Sequence, residues 1–318
     1  MADLTTTNPQ PLATLQTDLQ AAVAFAAEGR SPSTKRAYKG CWSRFEAYCA
    51  SHNKPVMPAS PNMVAAFLAR LASDGKSWPT VTQHRAAIAL AHRLQGRPDP
   101  TDAPEVAMTV DGIARAVGVA PRKQARPLAP DEATKMMALC DSSPTGTRDR
   151  ALIALWYAGA FRRSEPAALT LADLAWHDRG VIVHVRRSKG DQFGRGQMVP
   201  LPLDTSENHI RPWFSMVERH AAGLNRQPAI QPLFFCIRSG AALSASACAE
   251  IVKRLANKAG CKPITGHSLR AGPITAAARR GVSLVVAQRT SRHKRLDTLV
   301  NYFRETEILA DIATQGMI

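Results

Sequence analysis

The segment TLVNYFRETE, residues 298–307, holds one of only four tyrosines in 318 residues; the other three are Tyr38, Tyr48 and Tyr157. His293 lies nine residues before Tyr302, and Arg304 two residues after it. Three further patches carry residues suited to phosphate chemistry. GAFRRSE supplies Arg162 and Arg163, RRSKGDQ supplies Lys189, and GHSLRAG sets His267 and Arg270 one helical turn apart. Guanidiniums can grip phosphate oxygens in fork geometry. Lysine and histidine can move protons, and a phenol can attack phosphorus. Each patch alone also fits a plainer role: a helix tyrosine in a core, an arginine pair on a solvated face.

The charge balance points the same way. The chain carries a formal +16 with a pI near 10.2, and the basic excess lies mostly beyond residue 120. That calls for a polyanionic partner, with nucleic acid first and an anionic membrane surface second. No apolar run approaches the ~18 residues of a spanning helix, so a membrane partner is not expected. The first twenty residues have acids and no basic start, unlike a signal peptide. Cys41, Cys49, Cys140, Cys236, Cys248 and Cys261 form no CxxC, and we read them as free thiols in a reducing, cytoplasmic compartment. Only Cys49 has a histidine nearby, His52, so no zinc site is expected. No P-loop or carboxylate cluster for a metal is present either.

These side chains must be held by folded elements. Residues 1–30 are expected to be a flexible segment with an Ala-rich helical patch at 18–28. Residues 31–120 read as an all-helical domain. Its first helix is expected to be capped by Ser33 or Thr34, with Tyr38, Trp42, Phe45 and Cys49 on one stripe. A second starts with Pro61 at its first position, a third turns Val81, Ile88 and Leu94 to a core, and a fourth covers 104–118. Residues 121–128 form a basic linker, within a proline-rich stretch whose charge suits a phosphate backbone.

Residues 129–318 are mixed. DEATKMMALC and TRDRALIALWYAGA are helical, the second ending at Gly159, and Ser164 is expected to cap the next. Val181, Val183 and Val185 alternate with Ile182, His184 and Arg186, a strand, which pairs through a glycine-containing turn with a strand at 197–201. Helices follow at about 206–222, 245–259, 268–280, 283–290 and 296–304, and an amphipathic piece at 306–315. Pro273 is expected to kink its helix.

In this order and spacing the chain resembles the tyrosine recombinases, the family of phage integrases, Xer proteins and Cre. GAFRRSE is similar to the family's first-arginine box, RRSKGDQ to its hairpin-lysine segment, GHSLRAG to its His-x-x-Arg box, and NYFRE to its nucleophile segment. The resemblance runs from about 128 to 305, and the helical first third is similar to the family's SAM-like core-binding domain. It implies a mainly α fold with a small β-hairpin or sheet, in two domains that form a C-shaped DNA clamp: the helical core-binding domain and a mixed α/β catalytic domain.

Carried over residue by residue, the resemblance implies that Arg162 and Arg270 hold the oxygens of one phosphate. It makes His267 and His293 assistants, Lys189 the proton donor, Tyr302 the nucleophile and Glu165 an orienting acid. Arg36, Lys39, Arg44 and Arg85 in the helical domain, Arg122, Lys123 and Arg126 in the linker, and Arg163 and Arg187 are the expected DNA contacts. Arg292 stands where relatives often have glycine before the histidine. The implied partners are double-stranded DNA with inverted-repeat sites and three further copies of the chain, a homotetramer joined by exchange of the C-terminal tail. The implied setting is bacterial and nucleoid-associated, with no cofactor and no metal.

The chemistry fits those roles. A phosphodiester transition state gathers charge on its equatorial oxygens, where two fixed guanidiniums meet it. A phenol with a reference pKa of ~10 needs its proton removed or its anion stabilised, and His267 is a candidate base. Lys189 can protonate the leaving 5′ oxygen. The covalent 3′-phosphotyrosine conserves bond energy, so strands can be rejoined, through a Holliday junction, without ATP. Two other readings share parts of this pattern: a type IB topoisomerase and a sequence-specific DNA-binding protein without catalysis.

Overall fold

The computed structural model describes residues 29–120, 125–188, 191, 194–293 and 299. Lys189, Tyr302, Arg122 and Lys123 lie outside them, as do the expected helical patch at 18–28 and tail helix at 306–315. Of the expected helix at 296–304, only Leu299 is described. The chain divides into two compact units, Met1–Lys123 and Gln124–Ile318.

The described part of the first unit is helical: α1 (Pro32–Ser51), α2 (Pro61–Ser73), α3 (Trp78–Leu94) and α4 (Pro104–Val117). Serine–proline steps start the first two. Ser31 Oγ accepts the Thr34 amide at 3.2 Å with Pro32 at the first position, and Ser60 does the same for Met63 ahead of Pro61. The cap of α1 is therefore Ser31, not Ser33 or Thr34. Proline lacks the amide that would otherwise be orphaned there, and its φ is already helical.

Phe45, Cys49, Val64, Phe67, Leu68, Val81, Ile88, Val106 and Ile113 close a core between the four helices. Full burial of a side chain such as Phe67 or Ile88 stabilises by roughly 1.5–3 kcal/mol. Leu94 does not join it: it is 76% exposed, because it falls on the last turn of α3, past the contact. His92 is fully buried, donating from Nδ1 to the Ile88 carbonyl at 2.9 Å and accepting the Ala59 amide on Nε2 at 3.0 Å.

The second unit is built around α6 (Pro144–Ala158), buried from Ala151 to Trp156. Beside it pack α5 (Pro130–Ala138), α7 (Ser164–Ala168), α8 (Arg211–Gly223, entered through a π-turn at Ser206–Ile210), α9 (Ala245–Lys258), α10 (Gly266–Arg279) and α11 (Leu284–Ser291). Asp149 ties α6 to α9 by taking Arg148 at 2.7 Å and Arg254 at 2.6 Å.

An antiparallel sheet in the order β1–β2–β3 lies in the same unit: β1 (Leu174–His177), β2 (Gly180–Val185) and β3 (Gln197–Pro202). Val181, Val183 and Val185 are buried and register with Leu201, Val199 and Gln197. The expected hairpin is thus present, with β1 added on its free side, Leu174 opposite Val183. Pro200 and Pro202 sit on the outer strand β3, where a missing amide costs no ladder bond.

Pro273 lies inside α10, yet the helix continues to Arg279. The ring removes only the bond to the Leu269 carbonyl, while buried Ala271, Gly272, Ile274 and Thr275 hold the helix on both sides of it. At Gly272 the chain entering from the linker crosses this helix. Leu128 donates its amide to the Ser268 carbonyl at 3.0 Å, and Tyr157 Oη donates to the Leu128 carbonyl at 3.2 Å. A Cβ on Gly272 would stand 2.1 Å from that carbonyl oxygen.

Candidate active site

The site forms where α6 ends. Gly159 terminates the helix, Ala160 takes a positive φ of 46°, and Trp156 Nε1 donates to the Phe161 carbonyl at 2.8 Å. The reversal delivers Arg162 to the start of α7. Glu165 then turns back on it: its Oε2 accepts the Arg162 amide at 2.8 Å, and its Oε1 takes Arg162 Nη1 at 2.9 Å. That carboxylate does the capping expected of Ser164. Ser164 is instead an exposed first residue of α7 without a side-chain cap bond, because Arg163 before it is already helical.

Helix α10 brings the second arginine. Thr265 Oγ1 accepts the His267 amide at 3.2 Å, and Ser268 Oγ accepts the Thr265 amide at 3.0 Å, fixing the first turn. His267 is exposed there, while Arg270 is buried one turn later. Arg270 donates from Nη1 to the Ala160 carbonyl at 2.6 Å and from Nη2 to the Ser291 carbonyl. It thereby joins the end of α6 to the end of α11.

Beyond α11 come Arg292 and His293. Nδ1 of His293 lies 2.8 Å from Ser291 Oγ, and its carbonyl accepts Gln288 Nε2 at 3.0 Å. Burial pushes its imidazole down to about 4, and the guanidiniums of Arg270, Arg162 and Arg292 press in the same direction. At neutral pH it is uncharged in this site, a hydrogen-bonding group among cations. Leu299, three residues before Tyr302, is fully buried in a small core with Ala160, Ile274, Ala278 and Ala287. Leu299 is therefore anchored on the same α6 end, α10 and α11.

The structure thus gathers Arg162, Glu165, Arg270 and His293 and places His267 on the first turn of α10; Lys189 and Tyr302 are outside the described residues. The strand leading to Lys189 is pinned nearby. Asp173, buried, takes Arg186 Nε at 2.6 Å and the Thr170 amide at 2.8 Å, and a shallow pocket joins Glu165, Asp173, Arg186 and Arg187. Asp173 and Arg292 were not among the expected site residues. A non-glycine residue before the histidine was the only sign of the second, and nothing in the local pattern marks the first.

The expected DNA contacts divide. Arg36, Lys39 and Arg44 on α1, with Arg163 and Arg187, are exposed. Arg85 is half-buried and donates to the Thr101 carbonyl at 3.1 Å. Arg126 is turned inward, forked onto Glu132 at 2.8 and 3.1 Å and bonded to the Lys262 carbonyl at 3.0 Å. Its charge is matched within the unit, and Glu132 is held below the usual carboxylate range chiefly by that bond. Among the described residues no group of three or more His, Cys, Asp or Glu is arranged to hold a metal, and no helix is long and apolar enough to cross a membrane.

Comparison with known proteins gives the class. The model of the phage integrase family matches residues 126–307, and that of the phage integrase N-terminal SAM-like domain matches 22–93. The chain belongs to the phage integrase family, whose members here are tyrosine recombinases. It is 30% identical over 312 residues to an integrase/recombinase XerD homologue of Selenomonas ruminantium, covering 91% of this chain and 86% of that protein. It is 24% identical to recombinase Cre of Escherichia phage P1, covering 82% and 80%. Its fold is shared by the XerH recombinase solved on a palindromic difH substrate (TM-score 0.61, 21% identity, 84% of this chain and 76% of that one). It is shared also by a lambda integrase dimer solved on a core site (TM-score 0.56, 17% identity, 89% and 93%).

Proposed function

We propose that this chain is a site-specific recombinase that cuts and rejoins double-stranded DNA through a covalent 3′-phosphotyrosine at Tyr302. The observation that carries this is the convergence of Arg162, Arg270 and His293 on the end of α6, with Leu299 buried at the same place. The other tyrosines are engaged elsewhere. Tyr157 is pushed up to about 12 by burial, and Tyr48 packs against Phe67 at 5.2 Å between centroids. Tyr38 lies under Arg30, 5.6 Å from its ring.

In this reading the two guanidiniums clamp the non-bridging oxygens of the scissile phosphate. The Tyr302 oxygen attacks phosphorus, its proton passing to His267 or solvent, and the P–O5′ bond breaks as Lys189 protonates the leaving oxygen. A 5′ hydroxyl from a second strand then attacks the phosphotyrosine, loses its proton to the same lysine and frees the phenol. Two such exchanges in turn make and resolve a Holliday junction. The partners are duplex DNA with inverted-repeat sites and a homotetramer of this chain held by tail exchange, which native gels on one-site and two-site DNA would count.

The decisive experiment uses a nicked suicide substrate made from inverted repeats flanking the gene. The protein should be trapped covalently, and Tyr302→Phe should bind the same DNA and form no adduct. An adduct with Tyr302→Phe would overturn the assignment. The relatives named above are recombinases, which favours this reading over a topoisomerase.

A further inference from the structure

Three unfavourable choices coincide at Arg292. Its backbone is left-handed, φ 58° and ψ 38°, a conformation in which glycine is the ordinary end of a helix. Its side chain is a guanidinium only 4% exposed. Two of its donors, Nε and Nη1, are buried without a hydrogen-bond partner among the described residues. A helix end alone needs none of these, and glycine would serve it better. Strain of this kind persists where the surroundings use it.

The surroundings do use it. Arg292 Nη2 lies 3.0 Å from Glu165 Oε2, while Glu165 Oε1 holds Arg162 Nη1 at 2.9 Å. The left-handed turn also aims the Arg292 carbonyl at Arg162, which donates to it from Nη2 at 3.2 Å. Both ends of the Arg162 fork are thus fixed, and Arg292 stands behind each. The same Nη2 reaches the Gly159 and Ala160 carbonyls at 3.1 and 3.4 Å, the second shared with Arg270. The guanidinium stacks 4.7 Å from the centroid of Phe161. Side-chain and main-chain contacts therefore run from one residue to Glu165, Arg162 and the Arg270 anchor.

We infer that Arg292 is a positioning residue of the strand-cleaving site, orienting the Arg162 guanidinium through Glu165 on one side and through its own carbonyl on the other. The inference rests on the recombinase reading above. Glycine at 292 would keep the left-handed turn and the carbonyl but remove the grip on Glu165. Lysine would restore a charge at that carboxylate without the fork. The carboxylate, held by one arginine instead of two, would fix the Nη1 side of Arg162 less firmly, and misplacement of about 1 Å costs on the order of a hundredfold in rate.

The test compares wild type, Arg292→Gly, Arg292→Lys, Glu165→Gln and the Arg292→Gly/Glu165→Gln pair in single-turnover cleavage of the suicide substrate. Arg292→Gly is expected to bind DNA as wild type does and to form adduct about ten- to a hundredfold more slowly, with Arg292→Lys between the two. The pair should be no slower than Glu165→Gln alone, because both changes break one chain of contacts. His293, followed by its ring proton resonances, should titrate higher in Arg292→Gly, since one repelling cation is gone.

Equal rates for Arg292→Gly and wild type, or additive losses in the pair, would overturn the role. If Arg292→Gly melts below the assay temperature, the Arg292→Lys protein and its pair with Glu165→Gln carry the same comparison. Wild type that forms no adduct would instead count against the recombinase reading itself.

Discussion

Arg162 and Glu165 are bound to each other twice: the carboxylate takes the guanidinium at 2.9 Å on one oxygen and the amide of the same arginine at 2.8 Å on the other. The acid therefore fixes main chain and side chain of Arg162 together, inside a site where it is itself 1% exposed. Replacing it with glutamine removes the counter-charge from two arginines at once. Glu165→Gln is expected to lower stability by about 3 kcal/mol and to slow adduct formation at least tenfold with little change in DNA affinity. Chemical denaturation and single-turnover cleavage read the two effects, and a wild-type cleavage rate would rule out the orienting role.

Lys189 is assigned to the leaving group. Lys189→Ala should slow cleavage of ordinary DNA by roughly 10²- to 10⁴-fold, the usual worth of a general acid. A substrate with sulfur at the 5′ bridging position needs no proton on departure, so the variant should cleave it at close to the wild-type rate. If sulfur restores nothing, the lysine grips phosphate and does not donate.

His293 makes stability depend on pH. Its folded value is pushed down to about 4, against about 6.5 in an unfolded chain. Between those values the unfolded state binds a proton that the folded state refuses. Stability from this group is thus complete above pH 6.5 and falls as the pH drops towards 4. His84 and His209, also lowered chiefly by burial, add to the same slope. Denaturation midpoints measured from pH 7.5 to 4.5 should fall less steeply in His293→Gln than in wild type. Parallel curves would show that the imidazole takes up its proton alike in the folded and unfolded states.

The linker arginines should separate by role. Phosphate contacts weaken with salt by roughly 0.9 log unit of affinity per log unit of salt for each charge neutralised. The pair Arg122→Ala/Lys123→Ala is expected to lessen that slope. Arg126→Ala should leave it nearly unchanged and lower the melting temperature, because the guanidinium is forked onto Glu132. The reverse pattern in salt titrations of binding would return Arg126 to the DNA.

Much of this was legible in local patterns. The valine alternation from 181 to 185 marks β2 because one face is buried and the other is not. Pro61 marks where α2 begins. The strand β1 escaped notice because four residues, LAWH, are too few to show a period, and its place is set by pairing across a turn. Site residues could be named by type and order, but not their contacts. Arg292 meets Glu165, and Arg270 meets Ala160, across more than a hundred residues of chain. No window of periodicity spans such a distance, and a left-handed arginine runs against every local preference.

Gly272 has a consequence for how this sequence can change over time. In the interior of a helix, alanine is ordinarily favoured over glycine by about 0.5–1 kcal/mol. Here the first carbon of any side chain would meet the Leu128 carbonyl oxygen at 2.1 Å and the Tyr157 ring at 2.8 Å. The oxygen belongs to the main chain, so no exchange of side chain at 128 makes room. Drift by single substitutions is blocked at this position. A lineage that lost the glycine would first have to re-route the chain where it enters the unit, so glycine 272 and that path are inherited together.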